Sequence, residues 1–164
     1  MPDACFVTVA KELNALLAAP SPAFSQSFTP VRSYAEWDQE LKDDDNLHVD
    51  TVLVTHQIKS KLNTRASIIY SVPIDVGIRQ RLGASKQQTS DGRLDPAAID
   101  ALLLLTEEIN ERLIPNGGQE LDSDVNAKWK NTEILVAPSK QHLREFRQFT
   151  SIIRVLFEVT KTKA

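Results

Sequence analysis

The chain has 164 residues, 41% hydrophobic and 25% charged, which is enough apolar material for one buried core and excludes a disordered or membrane-embedded composition. Its 19 basic and 22 acidic side chains leave a net charge of −3, which argues against a surface given over to nucleic acid while permitting a local basic patch. The single cysteine, Cys5, excludes a disulfide framework or a cysteine-built metal site within one chain and reads as a core thiol.

Phe6, Val9, Leu13 and Leu16 or Leu17 recur at helical spacing, with Lys11, Glu12 and Asn14 on the other side. Pro20 and Pro22 close the segment, so a first helix is predicted over about residues 4–18. No basic region followed by a sustained apolar run opens the chain, so no targeting segment is expected. After a Ser, Pro and Ala turn, Phe28 to Trp37 is rich in aromatic and β-favouring residues and predicts a first strand. The acidic run Asp43, Asp44, Asp45 marks an exposed loop, and Leu47 to Ile58 predicts a second strand.

The polar stretch Lys59 to Arg65 reads as the loop before the clearest strand signal. There Ile68, Tyr70, Val72, Ile74, Val76 and Ile78 alternate with Ile69, Ser71, Pro73, Asp75, Gly77 and Arg79. Pro73 has no N–H for a ladder bond, which predicts a sheet edge or a bulge at that point. Beyond a polar loop, Asp95 followed by Pro96 reads as an N-cap with proline at the first helical position. Ile99, Leu102, Leu103, Thr106, Ile109 and Leu113 then form the apolar stripe of a second helix that ends before Pro115. The longest purely apolar run, Ala101 to Leu105, is far short of the ~20 residues that span a bilayer, so no membrane contact is expected.

Two short strands are predicted around Ala127 to Val136 and Phe149 to Thr160, joined by a turn or a single helical turn over Pro138 to Glu145. In the last, Phe149, Ser151, Ile153, Val155, Phe157 and Val159 share the core face. The expected fold is a single α+β domain over residues 1–164, in the order α-β-β-β-α-β-β. It has a mainly antiparallel sheet of four to five strands with two helices packed on one face.

Motifs that carry chemistry are few. Asp122, Asp124, Asn126 and Glu133 occupy positions 1, 3, 5 and 12 of a calcium-binding loop. However, Ala127 stands where that loop needs glycine, Lys130 fills another ligand position, and Pro115 to Gly118 precludes an entering helix, so this is a near miss and no metal is expected. Asp43 to Asp45 with Asp50 reads as a solvated charge run. His48, His56 and His142 are dispersed, His48 and His56 sharing one strand face but lying too far apart for one ion. No nucleophile elbow, Cys-His pair or glycine-rich phosphate loop occurs, so neither catalysis nor a cofactor is expected. The basic residues divide between two readings. Lys59, Lys61 and Arg65 cluster in one predicted loop, and Arg79, Arg81 and Lys86 follow the alternating strand. They are either solvated tips and edge protection or a docking loop for phosphate or a partner.

The strand YSVPIDVGIRQRL (Tyr70 to Leu82), the helix DPAAIDALLLLTEEINERL and the closing segment LREFRQFTSIIRVLFEV together resemble a layout of small tail terminator or tail completion proteins of long-tailed bacteriophages. In it an alternating strand ends in basic residues, an Asp-capped helix follows, and an Arg-Gln-Phe-Thr-Ser-like start leads into the final strand. The similarity runs from about Phe28 onward. It implies a non-enzymatic virion protein, made in the host cytoplasm, that forms a ring, expected to be a hexamer, on the last ring of the tail tube. Such a ring stops tube polymerisation and faces a head-completion or connector protein, with Lys59, Lys61 and Arg65 towards the tube or its lumen, where DNA would pass. The long Pro and Ser segment after the first helix and the Asp43 to Asp45 loop depart from that layout. Two further readings stand beside it: a head-completion or connector adaptor of the neck, and a small-ligand binding domain or enzyme of the same fold class.

Overall fold

The longest strands form where the apolar alternation is longest. The computed structural model describes residues 3–20, 22–34, 37, 40–41, 45–82, 93–115 and 126–163. Among these, β4 (Ser67–Arg81) and β6 (Gln148–Thr162) pair antiparallel along their whole length, from Ser67 opposite Thr162 to Arg81 opposite Gln148. Val72, Ile74, Val76 and Ile78 thereby stand beside Phe157, Val155, Ile153 and Ser151, all buried, and form the centre of the core face. The predicted inward face of the last strand is the observed one.

The remaining strands flank this pair. β5 (Asn126–Val136) lies antiparallel to β6, with irregular register around Lys130 and Leu135. On the far side of β4, two strands share one edge: β2 (His48–Leu53) pairs with Ile74 to Arg79, and β3 (Lys59–Thr64) pairs with Ser67 to Ser71. β1 (Val31–Ser33) runs parallel to β2. The described residues thus build a mixed sheet of six strands, ordered β1-β2-β4-β6-β5 with β3 beside β4. One more strand is present than expected, and one pairing is parallel.

Among the described residues, three α-helices accompany the sheet. α1 (Cys5–Ala18) buries Cys5, Val9, Ala10, Leu13 and Leu17, and α2 (Pro96–Arg112) buries Leu102, Leu105, Thr106 and Ile109, all in one cluster with the inward sheet residues. The Asp95 cap forms as expected: its Oδ1 accepts the Ala97 N–H at 3.0 Å. Thr106 Oγ1 donates to the Leu102 carbonyl at 2.8 Å and accepts from Ser151 Oγ at 2.8 Å, so this polar pair under α2 satisfies itself.

The third helix, α3 (Lys140–Phe146), stands where a turn or a single helical turn is expected, runs to seven residues and packs on the opposite sheet face, where His142 Nδ1 meets Thr150 Oγ1 at 2.8 Å. It is capped at Ser139 and ends on Arg147 in the left-handed region, φ 48°. Its seven residues are too few to show a helical stripe in the sequence.

Pro73 lies at neither an edge nor a bulge. It stands in a central strand, opposite Leu156, between the end of the β2 ladder at Ile74 and the start of the β3 ladder at Ser71. Its carbonyl accepts from the Val54 N–H at 3.1 Å. The absent N–H points to the same side, into the gap where one partner strand hands over to the next, so no ladder bond is lost. A single turn of 3-10 helix, Thr55–Gln57, makes that hand-over. It also ends the predicted second strand early: His56 sits in the turn and does not share a strand face with His48.

Candidate functional site

Lys59 and Lys61 do not lie in a loop. They form part of β3, a six-residue strand exposed throughout, and Arg65 with Ala66 makes the tight turn into β4. The register places Lys59 opposite Ser71 and Lys61 opposite Ile69, on the sheet face away from α1 and α2. A strand with both faces in water needs no apolar alternation, and its lysines suit an edge that would otherwise invite pairing.

The register then gathers charge that the linear sequence scatters. Beside the β3–β4 hairpin, β6 brings Lys161, opposite Ile68, and its end brings Lys163, whose N–H bonds the Ala66 carbonyl at 2.8 Å. β5 adds Lys128, opposite Glu158, and Lys130. Over residues 59–71, 126–131 and 156–163, the strands of this end carry seven exposed cations against one carboxylate, Glu158. That carboxylate is engaged by Lys130 at 3.3 Å. In a chain of net charge −3 this is strong segregation, and it concentrates a positive potential at one end of the sheet. The register divides these cations between two faces: Lys128 shares the open face with Lys59 and Lys61, whereas Lys161, opposite Ile68, lies on the helix side. The lysines of β5 and β6 are far from Lys59 in the chain, and only the strand pairing brings them to this end of the sheet.

The second basic group divides. Arg79 is not a contact residue: it is buried, its NH2 group donates to Asp50 Oδ2 at 2.6 Å, and its guanidinium lies 5.3 Å from the centre of the Trp37 ring. Asp50 likewise leaves the predicted acidic cluster and becomes its buried partner. Arg81 is half-buried and 3.9 Å from Asp45. Lys86 lies outside the described residues, as do Asp43, Asp44, Asp122 and Asp124. Of the calcium-loop near miss, Asn126 and Glu133 fall near opposite ends of β5, on the order of 20 Å apart in an extended strand. Among the described residues, no three His, Cys, Asp or Glu side chains gather into a metal site, and no helix is long and apolar enough to cross a membrane.

Next to the basic end, the open sheet face holds a depression of about 310 Å³ with Pro73 and Leu156 as its apolar floor. Lys59 and Ser71 stand on one side, and Asn131 and Glu133 on the other. Arg154 closes one end, its Nε and NH2 donating to Asp75 at 2.7 and 3.0 Å and its NH1 to Gln57 Oε1 at 2.8 Å. The hydrogen bonds to Asp75 hold the guanidinium pKa above its ordinary value, against the opposing effect of burial. Arg154 is therefore a permanent cation whose charge Asp75 balances, a structural anchor rather than a free anion receptor.

No family model matches the chain, and no curated protein matches it at a significant level.

Proposed function

We propose that this chain is a structural virion protein that closes into a ring on the end of a phage tail tube, stops tube polymerisation and offers the tail-side surface for joining the head. It acts without catalysis or cofactor, in the tail or neck of the particle. The layout resemblance supports the tail assignment and the expectation of six subunits.

The observation that carries the ring is the polarity of the two outer strands. β3 runs antiparallel to β4, β4 to β6 and β6 to β5, so β3 and β5 bound this part of the sheet and run in opposite directions. A second copy rotated about an axis along the strands keeps their direction and so brings its β5 antiparallel to β3, a head-to-tail contact that forms a ring where the rotation completes a circle. The side chains suit that contact. On the helix side, Leu62 of β3 is 66% exposed and Ile134 of β5 is 45% exposed. On the other face, Lys59 and Lys61 of β3 would meet Asn131 and Glu133 of β5.

Electron microscopy and mass measurement of the purified protein test this reading, together with fractionation of infected-cell lysate into free tails and DNA-filled heads. Rings, and recovery with free tails, are the expected results. Monomer alone at high concentration, with no ring on tail preparations, would sink it. Recovery only with filled heads would move the protein to the neck as a connector adaptor.

A further inference from the structure

We infer that the basic end of the sheet binds the phosphate backbone of double-stranded DNA without reading its sequence. This gives the ring proposed above a partner for the same end of the molecule, but it depends only on the placement of charge within one subunit. Seven cations, on β3, β5, β6, the β3–β4 turn and the residue just past β6, stand against one carboxylate that is already paired. Four strands side by side set β3 and β5 about 14 Å apart, so Lys59 and Lys61 at one margin and Lys128 at the other can reach phosphates on either side of a groove.

The chemistry of the patch selects among polyanions. Six of the seven cations are lysines, which act as point charges on phosphate, whereas base-edge recognition draws on the planar fork of arginine. The face of this end that carries Lys59, Lys61 and Lys128 also carries Ile69, Ser71, Leu156, Glu158, Thr160 and Asn131, and none is aromatic. Trp129 and Tyr70 lie on the helix side, where they pack against the core. Without a stacking platform, single strands gain nothing from their unpaired bases, and duplex is favoured by its denser phosphate charge.

The test is fluorescence anisotropy of a labelled random-sequence DNA duplex titrated with the full chain over a range of salt, with mass photometry of the same samples. Four to six phosphate contacts predict a log–log salt slope of about −4 to −5, which is a loss of roughly 10²- to 10³-fold in affinity between about 50 and 200 mM salt. The triple variant Lys59→Gln, Lys61→Gln, Lys128→Gln should reduce the slope by about 2 to 3 and weaken binding at least tenfold at low salt. Lysine-to-arginine changes at the same three positions should retain binding. The pair Lys140→Gln, Arg144→Gln, exposed on α3, should leave binding within about twofold. No duplex binding at low salt, a glutamine variant that binds like the parent, or tighter binding to polyglutamate than to duplex would each overturn the assignment, the last in favour of an acidic protein surface. Rings that fail to bind duplex would remove this partner and leave the ring standing; duplex binding by a protein that never forms rings would do the reverse.

Discussion

Arg79 and Arg81 lie two residues apart on one face of β4, yet their substitution should have very different consequences. The Arg79 and Asp50 side chains are only 9% and 11% exposed and meet at 2.6 Å. Two unit charges a few ångströms apart near a protein surface attract by about 4 kcal/mol. Their removal from water costs several kcal/mol per ion, so the intact pair adds little net stability. Arg79→Met removes the attraction but leaves the Asp50 carboxylate buried, and should cost about 3–5 kcal/mol. In a domain of this size that corresponds to a fall in Tm of roughly 6–20 °C. The double variant Asp50→Leu, Arg79→Met removes both charges and should return to within about 1 kcal/mol of the parent. Arg81→Met, at 37% exposure and 3.9 Å from a still more exposed Asp45, should cost less than about 1 kcal/mol. Urea unfolding at neutral pH, read by circular dichroism across the four proteins, measures all of this. A loss below about 1 kcal/mol for Arg79→Met, or a double variant worse than the single, would refute the view that Arg79 acts inside the fold and return it to the surface.

Two other substitutions probe how tightly the two sheet faces are covered. A Cβ at Gly77 would lie 2.1 Å from ring carbons of Trp37, so Gly77→Ala should displace the indole, cost about 1–3 kcal/mol and shift tryptophan emission to the red; in a Trp37→Leu background most of that cost should vanish. Under α2, Thr106→Val strands the buried Ser151 hydroxyl and should cost about 1–3 kcal/mol by denaturant titration, whereas adding Ser151→Ala should recover most of the loss.

The elements that announced themselves in the sequence are those whose two sides differ. α1 and α2 carry one apolar stripe each, β4 and β6 alternate, and Asp95 with Pro96 marks a helix start that the structure keeps. What stayed hidden lacks such contrast or depends on distant partners. β3 is wet on both faces, so KSKLNT has no pattern to detect. β1 is three residues long and joins the sheet through a parallel pairing. The burial of Arg79 depends on Asp50, 29 positions away, and on an indole that fits only because residue 77 is glycine. Pro73 was a sound signal of an interrupted ladder, but the interruption is a change of partner within a central strand. Of the basic end, only the β3–β4 hairpin residues lie together in the chain; the lysines of β5 and β6 join them through register alone.

The position of β6 in the chain also governs how the protein must be made. It pairs with β4 on one side and β5 on the other, and its contact with β4 joins residues such as Asp75 and Arg154 that are 79 positions apart. Every earlier strand is synthesised before it, so until β6 emerges from the ribosome β4 has one bare apolar edge and β5 has no neighbour. Contacts of such long separation close slowly, and the waiting edge is a template for intermolecular pairing. A nascent chain stalled before Gln148 would therefore be the species that chaperones must hold, and completion of β6 the event that commits the sheet to its own subunit.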